Sequence, residues 1–173
     1  MTTESAITTI PDNSNLLQRN KYTFIIPNLP FAKYFCQTVT MPGVATNEVM
    51  VPTPFVDTYR HGDKMQYEPL QISFLIDEDF RVWEETYNWI KSLTVPHNFR
   101  EYRNHKGSKT EAYYDGILTF NNNANRPNFR VKFIGCHPVS LSGVDMSVME
   151  NADATPTASL SFRYQYFDIE RNT

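Results

Sequence analysis

Cys136 and His137 stand side by side, and a second cysteine, Cys36, lies far upstream. A thiol beside an imidazole is the raw material of a nucleophilic pair, and thiols with an imidazole can bind a metal. Neither arrangement is complete here. Successive side chains on a strand point to opposite faces, so residues 136 and 137 do not meet if the segment is extended. No Cys-x-x-Cys and no metal-ligand spacing occurs. The simpler reading is two small buried thiols and a histidine at a strand end. His61 and His105 fall in polar turns and are expected to face water. Asp77, Glu78 and Asp79 gather carboxylates as a hydrolase would. Their place at the start of a helix explains them without catalysis, because acidic groups suit the positive end of the dipole. Glu84 and Glu85 read as a solvated helix face. No Gly-rich phosphate loop, G-x-S-x-G or H-E-x-x-H is present. The residues therefore offer no catalytic set, no metal ligands and no cofactor site.

The elements around them are mostly strands. "NKYTFII" alternates Tyr22, Phe24 and Ile26 against Lys21, Thr23 and Ile25 and stops at Pro27. "AKYFCQTVT" reads as a second strand ending at Met41-Pro42-Gly43, and "NEVMVPTPF" as a third with its prolines late. Proline gives no N–H to a ladder, so Pro52 and Pro54 belong at a strand end or edge. "RHGDK" reads as a turn. "LQISFLID" alternates Leu70, Ile72, Phe74 and Ile76 with polar Gln71 and Ser73, the pattern of a half-buried strand. One helix is expected over "DEDFRVWEETYNWIKSL", with Phe80, Trp83, Tyr87 and Ile90 on one face and Pro96 beyond its end. "DGILTFNN", "PNFRVKFIGC" and "ASLSFRYQYFDI" complete about seven strands. Strands interrupted once by a helix do not fit a parallel βαβ series. They predict an antiparallel sandwich or partly closed barrel with the helix packed outside.

The chain has 173 residues, enough for one core, and is expected to divide into a flexible arm (1–19) and one domain (20–173). It holds 12 Phe and 10 Tyr but only 6 Gly, which favours strands joined by stiff turns. The net charge of −3 lacks the basic excess of a protein that grips nucleic acid electrostatically. Residues 1–20 carry no apolar stretch of signal length, and no run approaches a membrane span of about 20 residues. The expectation is a soluble protein made in a reducing cytoplasm with both thiols free.

Two loops carry opposite charge. Residues 97–110 hold Arg100, Arg103, Lys106 and Lys109 against one acid, Glu101, while residues 142–157 hold Asp145, Glu150 and Asp153 and no base. In a self-assembling protein these suit a head-to-tail contact, and a contact within one subunit is equally compatible.

The run "CQTVTMPGVATNEVMVPTPFVDTYRHGD" resembles the tail tube proteins of contractile-tailed, T4-like phages. The matching features are Cys36 in a strand, a turn at Pro42, Pro52 or Pro54 before Phe55, and a turn at Gly62-Asp63. The order of "YTFIIPNLPF", "LIDEDFRVWEETYNWI", "FIGCHPVSLS" and "LSFRYQYFDI" extends the resemblance over residues 20–168. It implies a structural virion protein: six-membered rings stacked head to tail into a tube through which DNA leaves the capsid. It implies self-association, contacts with sheath and baseplate proteins, a location in the virion tail after assembly in the host cytoplasm, and no membrane. DNA and the tape-measure protein would pass through the lumen without specific binding. Thr38, Thr40, Glu48 and Met50 become candidates for inter-subunit sheet, and Glu48, Asp57 and Glu68 for the lumen. The charged loop residues become candidates for contacts between rings. A baseplate tube-initiating protein or a secretion-system tube protein would share the fold. A ligand-binding β-barrel and a Cys136–His137 enzyme are the readings from other classes.

Overall fold

A computed structural model of the chain describes residues 14–94, 113–151 and 154–171. In chain order its elements begin with β1 (Tyr22–Ile25), α1 (Ala32–Phe35), β2 (Cys36–Thr40), β3 (Val44–Val51), β4 (Thr58–Tyr67) and β5 (Leu70–Leu75). They continue with α2 (Arg81–Thr94), β6 (Tyr114–Asn121), β7 (Pro127–Leu141), β8 (Thr157–Arg163) and β9 (Tyr166–Arg171). The protein is mainly β, as the alternating segments predict. Seven strands form one antiparallel sheet in the order β1-β6-β7-β8-β5-β2, with β9 also on β7. The sheet does not close on itself, and β1 and β2 are its ends. β3 and β4 pair only with each other.

The sheet turns a corner within β7. Up to Ile134 this strand pairs with β9, and from His137 it pairs with β8. Gly135, between the two, has φ +67, and a Cβ there would crowd the Gln165 side chain. Only glycine adopts that left-handed conformation without strain. The Gly135 N–H donates to Asp115 Oδ1 at 3.1 Å, and the Gln165 N–H donates to the Ile134 carbonyl at 2.9 Å. Asp115 also meets Lys132 at 3.1 Å. These bonds hold the corner, and the hydrogen bond from Gly135 lowers the Asp115 pKa.

The core lies between the two arms of the bent sheet and α2. Leu70, Ile72 and Phe74 of β5 point inward opposite Phe162, Leu160 and Ala158 of β8, and all six are buried. Phe133 of β7 and Val82 and Trp89 of α2 close the interior. Trp89 meets Tyr114 edge-on at 5.4 Å and lies 6.0 Å from Phe162. Burying side chains of this size contributes about 1.5–3 kcal/mol each.

Five local expectations are corrected. "AKYF" is the short helix α1 rather than strand, so the second strand starts at Cys36. "RHGDK" is not a turn but the middle of β4. The last expected strand is two, β8 and β9, separated at Tyr164-Gln165 where the chain crosses the corner at Gly135. The expected helix face is rotated by about one residue. Val82, Thr86 and Trp89 are the buried positions of α2. Phe80, Trp83, Tyr87 and Ile90 lie beside them at the margin, with Trp83 and Tyr87 stacked 5.6 Å apart and Tyr87 exposed. The helix starts after Asp77 rather than on it: Asp77 Oδ2 accepts the Arg81 N–H at 3.2 Å.

Candidate assembly surfaces

The β3–β4 hairpin buries none of its side chains. Cross-strand pairing sorts them onto two faces. Val44, Glu48 and Met50 lie opposite Tyr67, His61 and Tyr59, while Val49 and Val51 lie opposite Arg60 and Thr58. Val44, Val49, Met50, Tyr59 and Met65 are all exposed although large and apolar. Two strands without a packed face are marginal in water. The ribbon is nevertheless held firmly at its base. Gly43 and Glu68 exchange backbone and carboxylate bonds at 3.1 Å, Tyr164 Oη donates to the Glu68 carbonyl at 2.8 Å, and the Arg163 guanidinium donates to the Tyr67 carbonyl at 3.0 Å. Midway, the register shifts between Thr46 and Glu48, so β4 bulges. Gly62 is required there because a Cβ would overlap the Asn47 carbonyl oxygen.

Pro52 and Pro54 fall just past the end of β3, in the hairpin tip, and Pro42 falls between β2 and β3. The prolines therefore stand outside the ladder, as their missing N–H requires. The tip is tied by Thr53 Oγ1 to Val56 and by Thr58 Oγ1 to the Val51 carbonyl at 3.1 Å. Phe55, at the tip, is 95% exposed.

Two further surfaces are unpartnered among the described residues. β2 is an end of the sheet, pairing with β5 on one side only. A free edge is a template for another strand. The loop after β7 exposes Met146, Val148 and Met149 beside Asp145 and Glu150.

The site residues named from the sequence that are among the described residues fall on these surfaces. Thr38 and Thr40 are exposed on β2, Glu48 and Met50 on β3, Asp57 in the hairpin tip, and Glu68 at its base. Asp145 and Glu150 are exposed in the loop after β7. Arg100, Arg103, Lys106, Lys109 and Asp153 lie outside the described residues, as do His97, His105 and residues 1–13. Sequence reading missed β4, half of the hairpin. Its signal was the alternation of Tyr59 and His61 with Thr58 and Arg60, masked by a Gly-Asp pair that resembles a turn.

The sulfur groups are not brought together as a site. Both cysteines are free. Cys136 is buried with Sγ 3.7 Å from the Phe133 carbonyl, and His137 stacks edge-on to Tyr113 at 5.3 Å. Burial pushes the Cys136 thiol up to about 12 and the Cys36 thiol up to about 11. Such thiols are poor nucleophiles at neutral pH. No group of metal-binding side chains occurs among the described residues. No helix there is long and apolar enough to cross a membrane.

A family model for the phage tail tube protein matches residues 13–170. The chain belongs to the phage tail tube protein family. The tail tube terminator protein of Enterobacteria phage T4 is 25% identical over 139 residues, 79% of this chain and 77% of that protein. Among solved structures, the tube-terminating cap of the anti-feeding prophage superposes with a TM-score of 0.68 at 10% identity, covering 97% of this chain and all of that one. The six-fold symmetrised baseplate of the same particle gives 0.63 at 11% identity, covering 91% and 97%. Family membership makes this chain a structural component of a virion tail, not an enzyme. The hairpin, the free β2 edge and the apolar loop are thus features of a tail structural protein.

Proposed function

We propose that six copies of the chain form a ring around a DNA-conducting lumen, and that this ring closes the tail tube. The exposed hairpin carries the ring reading. Val44, Val49, Met50 and Tyr59 sit on a ribbon with a rigid base and no cover, which suits burial against another subunit. In this reading Thr38 and Thr40 of β2 offer the edge that continues the sheet into a neighbour, and Glu48 and Met50 pack across the same boundary. Asp145, Glu150 and Asp153 face Arg100, Arg103, Lys106 and Lys109 of an adjoining ring. Six-fold symmetry is supported by the symmetrised baseplate relative. The position at the end of the tube is supported by the T4 terminator relative. Sheath proteins are the expected neighbours, and DNA and the tape-measure protein the expected traffic.

The second reading is the repeating tube subunit, favoured by the family model over nearly the whole described chain. Electron microscopy of the purified protein separates the two. Single six-fold rings support the terminating role, and long stacked tubes support the repeating one. A monomer that persists at high concentration, even with preformed tail tubes as seeds, contradicts both.

A further inference from the structure

Six methionines and two cysteines place sulfur in very different surroundings. Cys136 is buried and Cys36 half-buried, and burial holds both thiols protonated at neutral pH. A peroxide reacts with the thiolate, so neither cysteine competes for one. A thioether has no proton to lose and reacts wherever an oxidant can reach its sulfur. Met41 packs against the core, and Met1 lies outside the described residues. Met50 and Met65, on the hairpin, are 55% and 56% exposed. Met146 is 73% exposed and Met149 99%, with Val148 exposed between them. The loop that presents these two is pinned at both ends. The Trp83 indole N–H donates to the Ser142 carbonyl at 3.3 Å, the Ser142 N–H to the Ser159 carbonyl at 2.9 Å, and the Ile76 N–H to the Pro156 carbonyl at 3.0 Å. Val144 still packs against the core. From Asp145 to Glu150 every residue is exposed, and the Met149 N–H donates to Ser147 Oγ at 3.2 Å. The result is an apolar knob rimmed by two carboxylates, its ends tied to α2, β8 and the end of β5.

We propose that Met146 and Met149 are an oxidation site that takes a hydroperoxide as co-substrate, and that their sulfoxides uncouple one ring from the next. The inference rests on the ring reading above, in which this loop faces an adjoining ring. In the reaction a sulfur lone pair attacks the hydroxyl oxygen of the peroxide, and the S–O bond forms as the O–O bond breaks. The sulfur gives up two electrons. The proton of the transferred hydroxyl passes to the departing oxygen, which leaves as water or an alcohol. A flexible apolar side chain becomes a polar one, which disrupts a methionine-rich contact. The core is untouched, because neither residue is buried. The change is also reversible, since sulfoxide reductases return the thioether. Met50 and Met65 pair with Tyr59 and Thr46 across the ribbon, which leaves their sulfur less open.

Hydrogen peroxide added to dilute monomer at pH 7, followed by mass spectrometry of its peptides, reads the order of attack. Met149 and Met146 should gain oxygen first, Met50 and Met65 next, and Met41 last, about tenfold behind Met149. Met50 or Met65 ahead of Met149, or a cysteine ahead of either loop methionine, would overturn the site. The consequence is read on rings. Unmodified rings should stack on one another or attach to preformed tail tubes. After oxidation the rings and the unfolding curve should persist while stacking and attachment are lost, and methionine sulfoxide reductase should restore both. Met146→Leu with Met149→Leu keeps volume and apolar character, and this variant should attach before and after peroxide. Fully oxidised rings that attach as before contradict the uncoupling. A double variant disabled by peroxide as the unmodified chain is would place the lesion elsewhere and contradict it equally. Unmodified rings that neither stack nor attach contradict the placement of this loop against an adjoining ring. Absence of rings in the untreated protein instead contradicts the ring reading, while the order of oxidation, read on the monomer, still decides the site.

Discussion

β5 buries every second side chain and β8 four of its seven, whereas β3 and β4 bury none. Both pairs are antiparallel and both carry apolar residues, so the difference is not one of propensity. β5 and β8 put Leu70, Ile72, Phe74, Leu160 and Phe162 on one face and, apart from Leu75, polar residues on the other. The hairpin spreads Val44, Val49, Met50, Tyr59 and Met65 over both faces of a ribbon that no other element among the described residues covers. The first pair can complete its burial within one chain. On the ring reading proposed above, the second completes it against another copy of the chain. On that reading, folding and assembly are encoded in separate strands.

Substitutions should break this comparison unequally. Phe162→Ala is expected to cost the monomer about 3–5 kcal/mol, because a fully buried ring leaves a cavity between β8, Phe24 and Trp89. Denaturant unfolding at high dilution measures it. Gly135→Ala is expected to cost about 1–2 kcal/mol by forcing a side chain into the left-handed region at the corner of β7. Its unfolding curve should lose midpoint while the hairpin is unaffected. Tyr59→Ser and Met50→Ser together should shift monomer stability by no more than about 0.5 kcal/mol, since both sites are exposed. The same pair should abolish rings in size-exclusion chromatography. A large loss of monomer stability from the hairpin variant would erase the distinction between the two pairs.

Alkaline pH offers a gentler probe of the folded interior. Burial pushes Tyr22 and Tyr164 from 10.0 up to about 12, Cys36 from 9.0 to about 11, and Cys136 from 9.0 to about 12. Each folded value is raised, so the unfolded chain loses its protons first. Their stabilisation is full below pH 9 and is lost as pH rises from about 9 toward 12. Thermal melts across that window should show a progressive fall, led by the cysteines and followed by the tyrosines. Alkylation of Cys36 should stay slow at pH 8, where about 0.1% of a thiol of that pKa is ionised.

Much of the sheet was legible because its strands are half-buried. The period of two in "LQISFLID" and "ASLSFR" reports a covered face, and β5 and β8 appear there, although the period carried on past the break at Tyr164-Gln165. The hairpin was less legible for the same reason. With neither face covered among the described residues, β4 had no such pattern to override Gly62-Asp63, which reads locally as a turn but sits at a bulge. The corner at Gly135 was illegible because it depends on Gln165, thirty residues away in sequence and adjacent only after folding. On α2, aromatic residues drew attention to Phe80, Trp83 and Tyr87, but the sheet accepts Val82, Thr86 and Trp89. The assembly candidates Thr38, Thr40, Glu48 and Met50 could be placed from the sequence only through family resemblance, because exposure in a monomer leaves no periodic trace.

Amide hydrogen exchange tests the division between folding and assembly most directly, read over residues 44–67 in dilute monomer and in assembled rings. The core strands β5 and β8 should be protected in both states. The hairpin should exchange rapidly in the monomer and become protected in the ring. A hairpin that exchanges equally fast in monomer and ring, with rings visible in micrographs, would contradict the claim that another copy of the chain completes its burial.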